Sequence, residues 1–154
     1  MSHQPISIND IPTDELLKLE NQLCFPLYAC SKEVVRRYTP FLNKLGLTYT
    51  QYLVMMALWE YGEMSVSQMG DRLYLDSGTL TPLLKKMESR GLITRDRSKD
   101  DGRRVDVSLT DAGRALKEDA REVPIAMGQC IDLDREDVEE LVRLLHKVMG
   151  CVRA

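Results

Sequence analysis

The residues best suited to chemistry are two side chains four apart in the stretch ENQLCFPLYA, Glu20 to Ala29: the thiol of Cys24 and the phenol of Tyr28. A thiolate is a nucleophile and a site of oxidation, and a nearby hydroxyl would hold and orient it. At the helical repeat Tyr28 lies about 40° round from Cys24. Tyr38 lies about 40° to the other side, but about 21 Å further along a straight helix. Tyr38 therefore meets Cys24 only if the chain bends or if it comes from a second copy. Asn21 is a candidate helix N-cap. Cys24 would then hold the third helical position, beside unpaired amides that favour a thiolate, and Pro26 would do little harm so near the start. If the helix begins earlier, at Thr13 or Asp14, Pro26 marks a kink instead. The pattern leaves two roles open for Cys24: a reactive thiol, or a small hydrophobe packed in a core, as free cysteines commonly are.

The chain has 154 residues, 44% apolar and 29% charged, the composition of an ordinary globular protein. There is no apolar run of 18 or more residues to span a membrane, and the start, MSHQPISINDIPTDE, lacks the basic-then-apolar order of a signal peptide. The expected setting is cytoplasmic, where Cys24, Cys30, Cys130 and Cys151 rest as thiols. These four have no metal-type spacing, and His3 and His146 stand far apart, so no metal or cofactor is expected. Net charge is −3, yet residues 85–104 hold eight of the 21 Lys and Arg. A basic stripe on an acidic body is compatible with DNA binding.

The elements that must position these groups are mostly helical. Helical apolar spacing covers residues 14–38. TYTQYLVMMALWE opens on a capping box, Thr48 with Gln51, and its run Leu53 to Trp59 is apolar on most sides, which predicts a buried helix. SVSQMGDRL repeats the device with Ser65 and Gln68. SGTLTPLLKKMESRG carries Leu80, Leu83, Leu84 and Met87 at helical spacing, with Gly91 placed to end it. Two short helices joined by a brief turn make a helix-turn-helix. The period then changes to two: Val105, Val107 and Leu109 alternate with Asp106 and Ser108, behind a turn-forming SKDDG. The expected fold is mainly α with a small β-hairpin wing: a winged helix-turn-helix with flanking N- and C-terminal dimerisation helices. Thr110 caps a further helix running to about Met127 and bent at Pro124. Asp134 caps the last, with Val138, Leu141, Val142, Leu145 and Val148 as its stripe. The parts divide as 1–47 (arm, sensing and dimerisation helices), 48–109 (DNA-binding lobe) and 110–154 (C-terminal dimerisation helices). The flanking helices need a surface to bury against, and a two-fold homodimer supplies it.

With Leu80 facing inward, Gly78, Pro82, Lys85 and Ser89 fall on the outer side, flanked by Thr79, Thr81 and Lys86. This small, polar, then basic face suits a DNA major groove about 12 Å wide. Ser77, Thr79 and Thr81 are candidate base or phosphate contacts, and Lys85 and Lys86 candidate phosphate contacts. In the hairpin, Arg95, Arg97, Lys99, Arg103 and Arg104 are placed for the DNA backbone or minor groove. Asp101 is placed to pair with an arginine and fix the wing.

The segments LTYTQYLVMMALWE, SVSQMGDRLYLDSGTLTPLLKKMESRGLITR and DDGRRVDVSLTDAGRAL resemble the MarR family of bacterial repressors. LENQLCFPLYACSKEVVRRY is similar to its organic hydroperoxide resistance branch, and the likeness covers roughly residues 16–150. The resemblance implies a homodimer that binds pseudo-palindromic double-stranded operator DNA, no enzyme activity, and organic hydroperoxide as the signal. It implies that Cys24 is the residue oxidised to a sulfenic acid, and that Tyr38 and Tyr49 hydrogen-bond to its sulfur, with Tyr28 packed nearby. It implies that Cys130 is the resolving thiol of the other subunit, giving an intersubunit disulfide. Pro26 and Cys30 depart from the family pattern, and neither Cys30 nor Cys151 matches a family role. Two other readings remain: the same fold sensing hypochlorite, quinones or a phenolic ligand, and, more remotely, a thiol peroxidase.

Overall fold

The computed structural model describes residues 11–98 and 101–152. Lys99, among the wing cations named above, and His3 lie outside them. Helix α1 (Thr13–Leu16) and a 3-10 turn (Leu19–Asn21) precede the long α2 (Cys24–Leu45). Then come α3 (Tyr49–Tyr61), β1 (Met64–Ser65), α4 (Val66–Leu73), α5 (Ser77–Ser89), β2 (Ile93–Arg97) and β3 (Val105–Leu109). Helices α6 (Asp111–Ala120), α7 (Glu122–Cys130) and α8 (Arg135–Val152) complete the chain. The mainly helical winged helix-turn-helix is present.

The caps that the sequence announces form as expected. Gln51 N–H donates to Thr48 Oγ1 while Thr48 N–H donates to Gln51 Oε1, at 3.3 and 3.0 Å. Ser65 and Gln68 close the same box on α4. Thr110 accepts from Gly113 N–H, and Asp134 from Asp137 N–H. Each satisfies amides that a helix start leaves unpaired. A cap not foreseen is Asp76, which accepts from both the backbone N–H and the hydroxyl of Thr79, each at 2.8 Å. Those two bonds, the backbone one first, hold its carboxyl below the usual range.

The core lies in the lobe. Val54, Met55 and Leu58 of α3, Met69 of α4, and Leu80, Leu84 and Met87 of α5 are fully buried, with Ile93 and Val107 of the sheet. Leu42 and Leu47, at the end of α2, join the same cluster. The sheet has three strands in the order β1-β3-β2, all antiparallel, with Met64 and Arg95 both opposite Val107. The two-residue β1 was not foreseen, because a strand that short has no period of its own. Close approaches tighten the lobe at two glycines. A Cβ at Gly113 would stand 2.1 Å from Leu92 O, and one at Gly70 2.7 Å from Leu75 O. The first lets α6 lie against the end of α5; the second permits the tight helix-turn-helix corner.

Three expectations change. Helix α2 starts at Cys24 and runs through Pro40 to Leu45, rather than covering residues 14–38. Asn21 does not cap it. Asn21 sits in the 3-10 turn and its side-chain amide donates backward to Glu15 O at 2.7 Å, while Gln22 Nε2 donates to Leu16 O. Cys24 is therefore the first helical residue, not the third, and Pro26 takes the third position, where a missing N–H leaves no bond unmade. Lastly, the helix after Thr110 breaks at Arg121, three residues before Pro124. Pro124 cannot bond to the carbonyl of Ala120 and its ring crowds that carbonyl, so the fault appears one turn upstream.

Candidate functional site

Cys24 stands at the start of α2, where backbone amides lack intrahelical partners. In the single chain it is exposed, as are Cys30, Cys130 and Cys151, and all four are free thiols. The core-packing role left open by its sequence therefore does not hold within one chain. Around it Leu23 (64%), Phe25 (42%) and Tyr28 (64%) present apolar surface to the outside. The Lys32 ammonium lies over the Tyr28 ring, 5.9 Å from its centre.

The other two tyrosines form a separate cluster. The Tyr38 and Tyr49 rings pack tilted at 58° with 5.0 Å between ring centres, and Tyr52 stands 6.1 Å from Tyr38. Burial pushes the Tyr38, Tyr49 and Tyr52 phenols above their ordinary value, and proximity to Tyr38 adds to the shift at Tyr49 and Tyr52. They stay protonated and able to donate a hydrogen bond. Tyr38 and Cys24 share the unbroken α2 with fourteen residues between their numbers, which puts them about 21 Å apart along its axis. The structure thus brings Tyr38 and Tyr49 together and leaves Cys24 of the same chain away from Tyr38.

Cys130 is the last residue of α7. Phe41, Lys44 and Leu45 of α2 line one cavity with Glu122 and Val123 of α7, so α7 starts against the far end of α2 from Cys24. Cys24 lies seventeen residues, about 25 Å, before Phe41, and Cys130 eight residues, about 12 Å, past Glu122. Even with α7 laid straight back along α2, more than about 10 Å separates the two within one chain. A disulfide needs Cα atoms no more than about 7 Å apart.

The outer side of α5 is as expected: Ser77, Gly78, Thr79, Thr81, Pro82, Lys85, Lys86 and Ser89 are exposed. Thr79 donates its hydroxyl to Asp76, and Thr81 donates to Ser77 O at 2.7 Å. Both residues are exposed, and with the hydroxyl hydrogen engaged each oxygen is left to accept. Within the wing Asp101 accepts from Arg103 N–H at 3.1 Å and lies 3.6 Å from its guanidinium, the pairing anticipated for it. Arg103 and Arg97 are exposed, and Arg104 is half-exposed beside Asp106 at 3.9 Å. Arg95 is different. Its Nε and Nη2 donate to Glu88 Oε2 at 3.0 and 2.6 Å, tying the wing to α5. Glu88 and Asp76 are positioning residues that sequence reasoning missed. Asp76 could have been found, since an aspartate three before a threonine at a helix start is an N-cap pattern. Glu88 could not, because its partner is seven residues away across a turn.

Among the described residues of this one chain, Cys24 meets neither Tyr38 nor Cys130. Helix α8 buries none of its residues, and Val138, Leu141, Val142 and Leu144 are between 42% and 46% exposed. Ile125, Ile131 and Leu133 extend this apolar surface back to Cys130. Among the described residues no cluster of metal-binding side chains occurs, and no helix is long and apolar enough to cross a membrane.

Comparison with known proteins agrees with the winged-helix fold. The family model described as transcriptional regulator SarA/Rot matches residues 36–120. The organic hydroperoxide resistance transcriptional regulator of Bacillus subtilis is 52% identical over 128 residues, 83% of this chain and 85% of that protein. The structure of reduced AbfR bound to DNA superposes with a TM-score of 0.75 at 33% identity, covering 93% of this chain and all of that one. AbfR is a protein of Staphylococcus epidermidis. A structure of disulfide-formed AbfR superposes at 0.62 with 36% identity, over 88% of this chain and 96% of that one.

Proposed function

The chain belongs to the MarR family of winged-helix transcriptional regulators, and on that footing we propose that it is a repressor switched by organic hydroperoxide at Cys24. The reduced homodimer binds a pseudo-palindromic operator in double-stranded DNA, one α5 per half-site. Residues 1–47 and 110–154 form the sensing and dimerisation parts around the DNA-binding lobe at 48–109. Ser77, Thr79 and Thr81 face the groove; Lys85, Lys86, Arg97, Arg103 and Arg104 meet the backbone; Arg95, Glu88 and Asp101 hold the wing in shape.

The chemistry balances with the chain's own thiols. The Cys24 thiolate attacks the peroxide O–O bond and takes one oxygen to become a sulfenic acid. The other oxygen leaves with its carbon group, takes up a proton and becomes an alcohol. The thiol of Cys130 of the partner subunit then attacks the Cys24 sulfur, an S–S bond forms, and the hydroxyl departs as water. Two electrons pass from the two sulfurs to the peroxide, and a thiol reductant returns them. Tyr38 and Tyr49 donate to the partner's Cys24 sulfur in the reduced dimer; from their own chain Tyr38 is about 21 Å too far along α2.

The observation that carries this reading is the placement of Cys24 and Cys130. Both are exposed, both border apolar surface that one chain leaves uncovered, and they lie too far apart to pair within a chain. If the reduced dimer holds them apart, closing them to an S–S bond requires helices to move, which changes the spacing of the two α5 helices. The Bacillus relative, a transcriptional regulator of organic hydroperoxide resistance, and the reduced, DNA-bound and disulfide forms of AbfR support the same sequence of states. The test is operator binding by wild type and Cys24→Ser, before and after cumene hydroperoxide. Wild type should release DNA and regain it with dithiothreitol, while Cys24→Ser should stay bound. Release of the serine variant at the wild-type peroxide dose would end this reading. Release of both by a salicylate-like acid, with none by peroxide, would instead point to a ligand sensor.

A further inference from the structure

Several bonds meet at the C-terminal end of α5. There Glu88 holds Arg95 of the wing. Gly91 O accepts from the Thr110 hydroxyl, and Leu92 O from Thr110 N–H, at 2.6 and 3.1 Å, which fixes the start of α6. Between them Arg90, the C-cap of α5, reaches across to α2 and donates its Nη1 to Gly46 O. Gly46 is the left-handed cap of α2, φ 66°, and the guanidinium lies so close to it that an added Cβ would meet Nη2 at 2.7 Å. Cys24 is the first residue of that same unbroken helix and Gly46 the first beyond it.

We propose that Arg90 is the positioning residue that couples the sensing helix to the DNA-reading helix. The inference rests on the redox reading above. Leu42 and Leu47 also join this end of α2 to the core that holds Leu80, Leu84 and Met87. Apolar packing of that kind holds the two helices together but is non-directional and makes no specific bond between their ends. A bond from the end of α5 to the end of α2 fixes their relative position, so a displacement of α2 at Cys24 arrives at α5 as a displacement. Without it α2 moves on oxidation while α5 keeps more of its DNA-binding pose. Arg90 is exposed, so substitutions there remove no core side chain.

The readout is the ratio of operator dissociation constants, hydroperoxide-treated over reduced, at fixed salt, because an absolute affinity would also respond to a lost phosphate contact. Arg90→Met keeps the stem and removes the donors; Arg90→Lys keeps a donor. For Arg90→Met the ratio should fall roughly tenfold below wild type, the low end of the scale for a hydrogen bond from a charged group. Arg90→Lys should recover a measurable part of it, and all three proteins should form the same disulfide on a non-reducing gel. A wild-type ratio retained by Arg90→Met, or equal losses in the methionine and lysine variants, would overturn the coupling role. A ratio near one in wild type itself would overturn the redox reading and this inference with it.

Discussion

The lobe from Thr48 to Thr110 and the helices that flank it solve the burial problem in opposite ways. The lobe is closed. Its helices carry their own caps, its stripes meet one another, and Leu58, Met69, Leu80 and Met87 are at or below 1% exposure. Helix α8 is eighteen residues long with a clear apolar stripe, yet it buries nothing in its own chain. The first half of α2 is likewise open, and both Cys24 and Cys130 lie on this unfinished side. A part that reads DNA benefits from a fixed shape. A part that senses by moving benefits from an interface with two arrangements, which a second subunit can supply and one packed core cannot.

The comparison breaks most severely at Gly113. Gly113→Val drives a side chain into Leu92 O, so the lobe should lose about 3 kcal/mol or more of stability. Urea unfolding followed by Trp59 reads this directly, since the Trp59 indole donates to Gly113 O at 2.9 Å. An unchanged midpoint would mean that the lobe is looser than described. The flanking side should respond differently. Leu141→Asp with Leu145→Asp puts two carboxylates on the α8 stripe, and the dimer dissociation constant should rise by roughly a hundredfold or more. Sedimentation equilibrium measures that, and the Trp59 emission of the resulting monomer should remain that of a folded lobe. Loss of both together would show that the two regions are not separable.

The smallest effect concerns the tyrosines. Their phenols are raised in the folded protein, so above the ordinary value of 10.0 the unfolded chain binds fewer protons than the native one. Their contribution to stability is full below that pH and is lost as pH rises through the raised values. Tyr38→Phe should flatten this alkaline fall in urea midpoints, since it removes one ionising group and the influence of Tyr38 on Tyr49 and Tyr52. A fall as steep as that of wild type would refute the cluster.

What the sequence made legible was whatever is local. The capping boxes at Thr48 and Ser65, the stop at Gly91, the α5 stripe and the alternation through Val105, Val107 and Leu109 each need only a few neighbouring residues. What it hid depends on distant partners. Strand β1 exists only because β3 lies beside it. Asn21 looks like a cap until its amide is found turned back onto Glu15. The bend expected at Pro124 shows as an interruption at Arg121 because a proline disturbs the turn before it. For the candidate site, type and spacing singled out the outer face of α5 and drew notice to Cys24 with two roles open, while the sensing role of Cys24 and the role of Cys130 came only through family resemblance. The Arg90–Gly46 bond links residues 44 apart and has no sequence signature.

The central claim is that Cys24 pairs with Cys130 across two subunits. It is tested most directly by mixing Cys24→Ser and Cys130→Ser proteins, both in a background of Cys30→Ser and Cys151→Ser, and allowing subunits to exchange. Each variant alone lacks one thiol of the pair, while the mixed dimer holds one of each on different chains. After organic hydroperoxide the mixture should give a covalent dimer on a non-reducing gel that dithiothreitol dissolves, and neither parent alone should form a Cys24–Cys130 linkage. A mixture that stays monomeric on the gel, while the Cys30→Ser, Cys151→Ser protein with both thiols intact is oxidised, would contradict the account.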